Sequence, residues 1–595
     1  MDDRSLHRWD LIGLVAFCAV LFGICLVSER PLSIHEAVLP QTSRLMLADG
    51  DLIVPKTGEA PWLESPPLPQ WISTALAVPF GELETHFVAR LGNVLVAILI
   101  VLMAAWTTAK LFGRNMGLLT GLCLATMCEF TKYAWLAEDE IYLCAVITAV
   151  IAWFVHMEFN GEDAKPITKS PWYLAPFTTR SSAMLTFFLL LGLTNLCKGI
   201  IFGMVLALIP CVSFIVLQLN YARLKPYLSV WGVLLTLAVA AVWPVACYFR
   251  YPDVVDVWMF DLGGRVDGKY AAINQPLWYY PVNMLWMLAP WTFFVPVGMV
   301  MTWKKAWKDP TSAERFVWCW ALLVPAVLSI PAGKHHHYLL HGLVPWAMLG
   351  SIGLVRAWAW MHAWPTWLKH PAWSLLSIAT PACVALVLLR SKLPGPESTT
   401  WGLIATIPVA ALMLAWGITR TDRRYAVSAM FGVTAAAYLF GHVYSGHYID
   451  KNRLDAHFCQ QVAKDFGAVH EAQSTPLLMD LGFQTHRAFL CQFYLPETVK
   501  PLHNLSFLRS SDIHADEAYV LSISGKQQQL EQYGAVEVVR QNSTGAGGSD
   551  STDDRLTVYR IRFPEKFERV ATEDVRISPM QGMNRATGPE VTVIR

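Results

Sequence analysis

Charged side chains that could move a proton or bind an anion lie close to the ends of long apolar runs in this sequence. The acids are Glu36, Glu64, Glu138, Asp139 and Glu140, and the cations are Arg90, Lys198, Arg265, Lys269 and Lys334. A carboxylate can act as a general base, and a guanidinium or ammonium group binds phosphate through charge-assisted hydrogen bonds. Ionisable groups at a membrane edge are costly, so they indicate function. Together these groups could deprotonate a hydroxyl and stabilise the charge on a departing phosphate.

The segment after the first apolar run is the richest in such residues. His35 and Glu36 follow the run directly, Glu64 precedes two prolines, and Arg90 begins the next run. Residues 37–48 have a helical pattern, which predicts a helix along the membrane surface. Glu36 could be a catalytic base, or it could cap that helix, because an acid near a helix N-terminus is favourable. His35 could act directly or support its neighbour.

Three adjacent histidines at 335–337 suggest a metal site at first sight. Adjacent residues on one helix point in different directions, so the three rings could not all bind one ion. Lys334 and Tyr338 flank the run one helical turn apart. This spacing predicts that they share a helix face, where they would suit a lipid phosphate better than a metal. No metal can be identified from these residues.

The elements that carry these groups are predicted to be membrane-spanning helices. Hydrophobic residues make up 54% of the 595 residues and charged residues 15%, whereas a soluble domain carries about 25% charged residues. So few charges exclude a chain of soluble domains. The formal net charge is +1, so no overall field attracts nucleic acid. The sequence therefore predicts an α-helical polytopic membrane protein.

A spanning helix needs about 20 mostly apolar residues, and this criterion predicts about thirteen transmembrane helices. They lie near 11–28, 87–109, 116–135, 141–157, 181–197, 200–219, 228–248, 281–302, 317–332, 338–356, 373–389, 401–418 and 425–445. Basic residues concentrate in alternate loops, which places those loops and the N-terminus in the cytoplasm. The first span lacks a cleavage site and is interpreted as an anchor, not a signal peptide.

The odd number of spans leaves the C-terminus outside, and two domains are expected. Residues 1–445 form the transmembrane domain, with 29–86 as its first outer loop, and residues 446–595 form a small extracytoplasmic α/β domain. A helical pattern covers 452–468, and strand-like runs lie at 476–480, 518–522, 535–540 and 555–562. Cys459 and Cys491 are the only two cysteines of the outer domain. They are expected to form a disulfide, because outer compartments are oxidising; the alternative is two buried free thiols.

The motifs resemble the GT-C glycosyltransferases, specifically the bacterial lipid A aminoarabinose transferase and the protein O-mannosyltransferases. In that family an acidic pair follows the first span, where this chain has His35-Glu36, and a long first-loop motif is similar to residues 43–71. The other matching motifs are Ala89-Arg90-Leu91, AEDE at 137–140, Lys198-Gly199, Arg265 followed by PLWYY at 276–280, and SIPAGKHHHYLLHGLVP at 329–345. No single motif is specific to the family. The resemblance depends on the order of the motifs in the chain and on their predicted location on one side of the membrane.

The resemblance implies a site on the outer face of the membrane. Glu36, or His35 in its place, would activate the acceptor hydroxyl, and Glu140 or Asp139 of the second outer loop would join the catalytic group. The groups expected at the donor phosphate are Lys198, Arg265, Lys334 and Tyr338. The groups expected to contact the acceptor or a metal are Glu64 and Arg90.

The chain departs from the family at two of these positions. His35 stands where the family has its catalytic aspartate, and Ser65 stands where it has a phosphate-binding lysine. Either Glu36 takes the aspartate's role, or His35 acts as the base or as an orienting group.

The expected function is transfer of a sugar, with inversion, from a polyprenyl-phosphate donor to a lipid, protein or cell-envelope glycan. The expected location is the inner (plasma) membrane, crossed many times, with no nucleic-acid partner. No cofactor is required by this reaction, and a divalent metal is possible. The alternative is a polytopic transporter or lipid flippase, which often has inverted repeats and ionisable groups near the midplane. Neither feature is visible in the sequence.

Overall fold

The computed structural model describes residues 4–57, 60–159, 179–199, 201–219, 221–256 and 275–363, then helix 423–444 and most of 453–564, together with a few isolated residues. The predicted spans at 373–389 and 401–418 lie largely outside the described residues, and Arg265 lies outside them too.

Helices dominate the first part of the chain. In order they are α1 Arg8–Val27, α2 Val38–Asp49, α3 Leu68–Ala77, α4 His86–Phe112, α5 Arg114–Ala125, α6 Cys128–Ala134, α7 Glu140–Phe159, α8 Thr179–Leu193, α9 Phe202–Val216, α10 Val230–Arg250, α11 Tyr279–Met287, α12 Phe294–Lys308, α13 Ala313–Leu328, α14 Leu343–His362 and α15 Arg423–Tyr444. The first loop also holds a two-stranded ladder, β1 Lys56–Thr57 with β2 Ala60–Pro61. The helix predicted at 37–48 is therefore present as α2, and its place along the membrane surface stays a prediction.

Six helices of the described part of the chain are long and apolar enough to cross a membrane. They are Arg8–Val27, His86–Phe112, Glu140–Phe159, Val230–Arg250, His336–Trp360 and Val427–Tyr444. Trp291–Lys308 and Ala313–Leu328 make a pair bent by 115°, which would count as a seventh span. A multi-helix apolar bundle is thus present, and the count of thirteen is not reached within these residues.

Two predicted spans are divided by local breaks. The span at 116–135 splits into α5 and α6 at Met127, which takes an extended conformation, and the Cys128 N–H bonds to the Ala289 carbonyl (2.9 Å) instead of continuing the helix. The span at 281–302 splits at Pro290, which has no N–H to continue the helical ladder. Apolar composition alone does not reveal such breaks.

Glycine permits the closest helix crossing. A Cβ atom on Gly298 of α12 would collide with the Leu349 carbonyl of α14, and one on Gly353 of α14 would collide with the Phe294 carbonyl of α12. Small residues at a membrane helix interface let two backbones approach in this way. This crossing packs α14, and with it the histidine run before it, against the bundle.

Residues 453–564, here called the C-terminal unit, combine helices with a mixed sheet. Its elements are α16 Leu454–Gln473, β3 Leu477–Met479, α17 Thr485–Tyr494, β4 Lys500–Pro501, β5 Glu517–Ile523, α18 Gln527–Leu530, β6 Ala535–Gly545 and β7 Arg555–Arg562. The sheet order is β4-β3-β5-β7-β6. β3 is parallel to β4 and β5, and β7 is antiparallel to β5 and β6. The four predicted strands coincide with β3, β5, β6 and β7, whereas α17 had no counterpart in the prediction.

The C-terminal unit packs on the first outer loop. Arg44 of α2 donates to the Gln492 carbonyl of α17 (2.7 Å), and the Tyr494 hydroxyl accepts a hydrogen bond from the Leu32 N–H (2.6 Å). An apolar cluster between the two contains Leu32, Ala37, Trp62, Val88, Ala89, Phe489 and Phe493. The loop and the unit therefore form one packed body around the residues discussed next.

Candidate active site

Glu36 lies inside the protein between two arginines. Its Oε1 is 3.1 Å from Arg90 Nε, and its Oε2 is 2.7 Å from Arg453 Nη1. The Ser33 N–H donates to Oε2 (2.9 Å) and the Ala137 N–H donates to Oε1 (3.4 Å). Burial alone would raise the pKa of Glu36, but the charges of Arg453 and Arg90 outweigh it and hold that pKa well below its ordinary value.

The Arg90 guanidinium ties the chain that follows α1 to the start of α4. It donates to the carbonyls of Cys25 (3.4 Å), Arg30 (2.9 Å) and Pro31 (3.2 Å) in addition to Glu36. Only 1% of Arg90 is exposed. Because its donors are engaged and its surface is covered, the geometry favours a structural role over the predicted contact with an acceptor or metal.

Glu36, Arg90 and Arg453 form what we call the first-loop anchor. A fully buried carboxylate held by two guanidinium groups has little tendency to take up a proton, and losing either partner would leave an uncompensated buried charge. This geometry favours a positioning role for Glu36 over a role as the catalytic base. Arg453 also belongs to the anchor. No sequence feature indicated this, because Arg453 is far from Glu36 in the sequence.

His35 has the opposite surroundings. The residue is exposed, and within the described part of the chain its ring has neither a hydrogen bond nor an ion pair. Burial among nearby atoms lowers the pKa of His35, and the negative charge of Asp139 opposes this effect. The imidazole is thus largely surrounded by protein, while the residue keeps surface that is open to the space beside it. With a lowered pKa the imidazole is neutral at pH 7 and able to accept a proton.

The loop between α6 and α7, residues 135–139, here called the second loop, places two more carboxylates at this space. Asn93 Nδ2 donates to the Glu138 carbonyl (2.7 Å), so the loop backbone is fixed. The side chains of Glu138 and Asp139 are half-buried and have no ion pair among the residues that the structure describes. Burial, together with the negative charges of Glu36 and Asp139, raises the pKa of Glu138 to about 8.

Glu140, the first residue of α7, is surrounded by cations and imidazoles instead. It forms an ion pair with Lys198, its Oε1 is 3.3 Å from His337 Nε2, and its Oε2 is 3.2 Å from His341 Nε2. The side chain is buried. Such a carboxylate orients its partners, and the geometry favours this role over proton transfer.

The groups predicted for the donor phosphate are only partly brought together. The Lys198 ammonium lies 5.5 Å from the centroid of the Tyr338 ring, and that ring is 5.5 Å from Phe202. Lys334 is buried and donates to the Gln275 carbonyl (2.8 Å). Because Arg265 is outside the described residues, the convergence of Lys198, Arg265 and Lys334 stays a prediction.

The histidine run does not form one metal site. His336 Nδ1 is 2.7 Å from Glu129 Oε1, while His337 contacts Glu140, so neighbouring rings reach different carboxylates. Across the described ranges no three His, Cys, Asp or Glu residues are arranged to hold a metal ion. The expectation that Lys334 and Tyr338 share a helix face is wrong, because residues 331–335 are not helical and a short 3₁₀ helix begins at His336.

Glu64 sits half-buried between the buried Leu63 and the two prolines that precede α3. The Leu63 carbonyl accepts a hydrogen bond from Trp258 Nε1 (2.9 Å), which attaches this part of the first loop to the chain beyond α10. The predicted contact of Glu64 with an acceptor or a metal stays a prediction.

Two residues at this space were not predicted to be site residues. Glu138 is the first of the three acids in the AEDE run, so the motif did contain a signal for it, but no role was assigned to it. His486 of α17 packs its ring against His35, and no pattern in the sequence distinguished it from other polar residues of the C-terminal unit. Only the fold brings it to the first loop.

The sequence and the fold were compared with those of known proteins. A sequence profile described as dolichyl-phosphate-mannose-protein mannosyltransferase matches residues 64–165. A protein of Proteus mirabilis named undecaprenyl phosphate-alpha-4-amino-4-deoxy-L-arabinose arabinosyl transferase 2 is 26% identical over 359 residues, which are 59% of this chain and 60% of the relative. A transferase of the same name, without the number, from Aeromonas salmonicida is 26% identical over 56% of this chain and 57% of its own length. The match thus spans less than two thirds of these curated relatives.

The fold extends the similarity over most of the chain. The crystal structure of ArnT from Cupriavidus metallidurans bound to undecaprenyl phosphate superposes with a TM-score of 0.66, covering 92% of this chain and 97% of that one at 18% identity. Its apo form gives the same TM-score at 17% identity. The resemblance that the motifs indicated is confirmed: the chain is similar to the GT-C glycosyltransferases and has the fold of ArnT.

Proposed function

We propose that this chain is an integral-membrane glycosyltransferase that moves one sugar from a polyprenyl-phosphate donor to a hydroxyl of a lipid, protein or cell-envelope glycan. The observation that carries the proposal is the grouping of His35, Glu138 and Asp139 at the outer ends of apolar helices. Among the described residues, their side chains have neither a hydrogen bond nor an ion pair. The Lys198–Tyr338 pair lies in the same region, since Lys198 acts electrostatically on Glu138. The names and fold of the relatives support a lipid-phosphate donor.

In this proposal His35 accepts the proton of the acceptor hydroxyl. Its imidazole is exposed and neutral, and the charge of Asp139 would stabilise the imidazolium that forms. The acceptor oxygen then bonds to the anomeric carbon while the bond from that carbon to the phosphate oxygen breaks. The electron pair leaves with the lipid phosphate, and the displacement inverts the anomeric carbon. The assignment replaces Glu36 as the base, since Glu36 is sealed in the first-loop anchor.

Lys198 and Tyr338 are proposed to bind the donor phosphate, with Lys334 and Arg265 as further candidates. The pairing of Lys198 with Glu140 supports this role, because Glu140 fixes the ammonium at the membrane edge and a dianionic phosphate would compete well for it. Glu138 would be protonated at pH 7 and so would not repel the phosphate. Glu64 is a candidate for the acceptor side.

The location is proposed to be the inner (plasma) membrane, with residues 446–595 forming a separate domain outside it. Basic residues in the alternate loops support this orientation. Positions such as Lys304, Lys305 and Lys308 then lie in the cytoplasm, opposite His35 and the C-terminal unit.

The test is sugar transfer by the purified protein in lipid nanodiscs. Undecaprenyl-phosphate sugars of several types are offered with lipid, peptide and glycan acceptors, and release of undecaprenyl phosphate is measured. Release that depends on an acceptor supports the proposal. Movement of the intact donor across vesicle membranes, without release in any mixture, would favour a flippase instead. A parallel series with a chelator shows whether a divalent metal is needed.

A further inference from the structure

His486 of the C-terminal unit and His35 of the first loop face each other. Their ring centroids are 5.0 Å apart and the ring planes meet at 59°. Both residues keep exposed surface, and neither ring has a hydrogen bond or ion pair among the residues that the structure describes. Tilted rings at this separation attract each other. The contact joins the proposed base to a residue from a different part of the chain.

The backbone of His35 is fixed, but its side chain is not fixed by the same contacts. The next residue, Glu36, is held by the first-loop anchor, and the Ala37 N–H donates to the Ser33 carbonyl (3.2 Å). These bonds set where the His35 Cα lies and leave the two side-chain torsions free. Among the described groups, the His486 ring and the charge of Asp139 are what act on the imidazole itself.

His486 is held on a rigid helix face. The next residue, Arg487, pairs with Asp455 (2.9 Å) and Asp554 (3.0 Å). The Trp62 ring of the first loop packs nearly perpendicular to the rings of His486 and Phe489, with centroid distances of 6.0 and 5.0 Å. Phe489 lies one turn further along α17. Trp62 therefore fixes the face of α17 from which His486 projects.

We propose that His486 is a positioning residue for His35, so that the C-terminal unit completes the site that activates the acceptor. The proposal rests on the proposed function, in which His35 is the base. Proton transfer in a displacement needs the base within hydrogen-bond reach of the hydroxyl, and a misplacement of about 1 Å can cost about 10²-fold in rate. The His486 ring would limit the imidazole to orientations that face the acceptor.

The electrostatics of the pair suit this role. Burial and the neighbouring His35 lower the pKa of His486 to about 4. His486 is therefore neutral at pH 7, so it neither repels the imidazolium that forms on His35 nor competes for its proton. Asp139 lies within electrostatic range of His35, so a carboxylate and a neutral ring both act on the base.

Three variants of the full-length protein test the proposal. His486→Ala removes the ring, His486→Phe keeps a ring without nitrogen, and His457→Ala removes an exposed histidine of α16 as the matched control. We expect His486→Ala to lower kcat about 10- to 100-fold with the donor KM unchanged. His486→Phe should recover most of that loss, and His457→Ala should match the wild type. Equal melting temperatures ensure that folded proteins are compared.

A second measurement does not need transfer activity. Diethyl pyrocarbonate modifies accessible neutral imidazoles, and peptide mass spectrometry gives the modification rate of His35. Because His486→Ala removes the ring that packs on His35, the modification rate of His35 should rise several-fold in this variant. His457→Ala should leave the rate unchanged. An unchanged modification rate of His35 in His486→Ala overturns the positioning proposal. A kcat of His486→Ala equal to that of the wild type overturns it as well. The wild type could show no transfer activity while His35 is modified faster in His486→Ala. That pair of results would count against the proposed function alone.

Discussion

Glu36 and His35 are neighbours in the chain, yet one is sealed between arginines and the other is exposed. The sequence and its family resemblance located this pair and left open which member is the base. The structure separates them through Arg453, which lies after the last described helix of the bundle and reaches Glu36 only in the folded protein. No local pattern could have shown this, because the burial of Glu36 depends on a contact between distant segments.

Replacing His35 tests its role as the base. We expect His35→Ala to lower turnover by about 10²–10⁴-fold, the usual loss for a general base, without weakening donor binding. His35→Asp, which introduces the carboxylate that the family has at this position, should recover part of the rate. Turnover and donor affinity are measured at equal folded amounts. Near wild-type turnover in His35→Ala would remove His35 from the mechanism.

Replacing Glu36 should affect stability first. Glu36→Gln leaves the buried charges of Arg90 and Arg453 without a carboxylate, which typically costs about 3–5 kcal/mol. Thermal unfolding in detergent measures this loss, with Glu82→Gln, an exposed acid of the same loop, as the control. A variant that melts like the wild type and has lost turnover would return the catalytic role to Glu36.

Ionisation of Glu138 should limit the rate at high pH. Its pKa is raised to about 8, so it carries a proton at pH 7 and loses it above that value. The charges acting on it are those of Glu36, Asp139, Lys132 and Lys198. Once ionised, Glu138 would repel the departing phosphate, so turnover should fall above pH 8. Glu138→Gln stays neutral and should abolish this fall; the same alkaline limb in both proteins would contradict the assignment.

Among the elements, those set by local periodicity were predicted well. The helix α2 and the strands β3, β5, β6 and β7 were identified from apolar periodicity and polar breaks. The division of the span at 116–135 was missed, because there the Cys128 N–H bonds to the Ala289 carbonyl, a contact between segments far apart in the sequence. The helix α17 was missed as well, since it is short and its apolar face is buried against the first loop, which no local window includes.

The packing of α16 on α17 brings Cys459 and Cys491 together. Both are buried free thiols in the structure, with their sulfur atoms 3.2 Å apart, so the expected disulfide stays a prediction. In an oxidising compartment the bridge should form, and closing a loop of about 30 residues would stabilise the unit by about 3 kcal/mol. Mass spectrometry of unreduced protein, alkylated after denaturation, detects it. Full alkylation of both cysteines would show that the thiols stay reduced.

In the part of the chain that the structure describes, His35, Glu138 and Asp139 lie together at one end of the apolar helices. The first loop, the second loop and α17 meet there, and the first-loop anchor ties them to α1 and α4. This arrangement requires His35, Asp139 and the C-terminal unit to lie on the same side of the membrane. The end of α12, which carries Lys304, Lys305 and Lys308, should lie on the opposite side.

Cysteine labelling of intact cells tests this orientation. Ser543→Cys introduces a thiol at an exposed position of β6, and Lys308→Cys introduces one at an exposed position at the end of α12. A membrane-impermeant thiol reagent should label Ser543→Cys in intact cells, because the C-terminal unit is expected outside the inner membrane. Lys308→Cys should react only after lysis, since basic loops remain in the cytoplasm. The wild-type protein gives the background from its own cysteines. The reverse pattern would place His35 and its neighbours at the cytoplasmic face, and the acceptor would then have to be sought among cytoplasmic hydroxyl compounds.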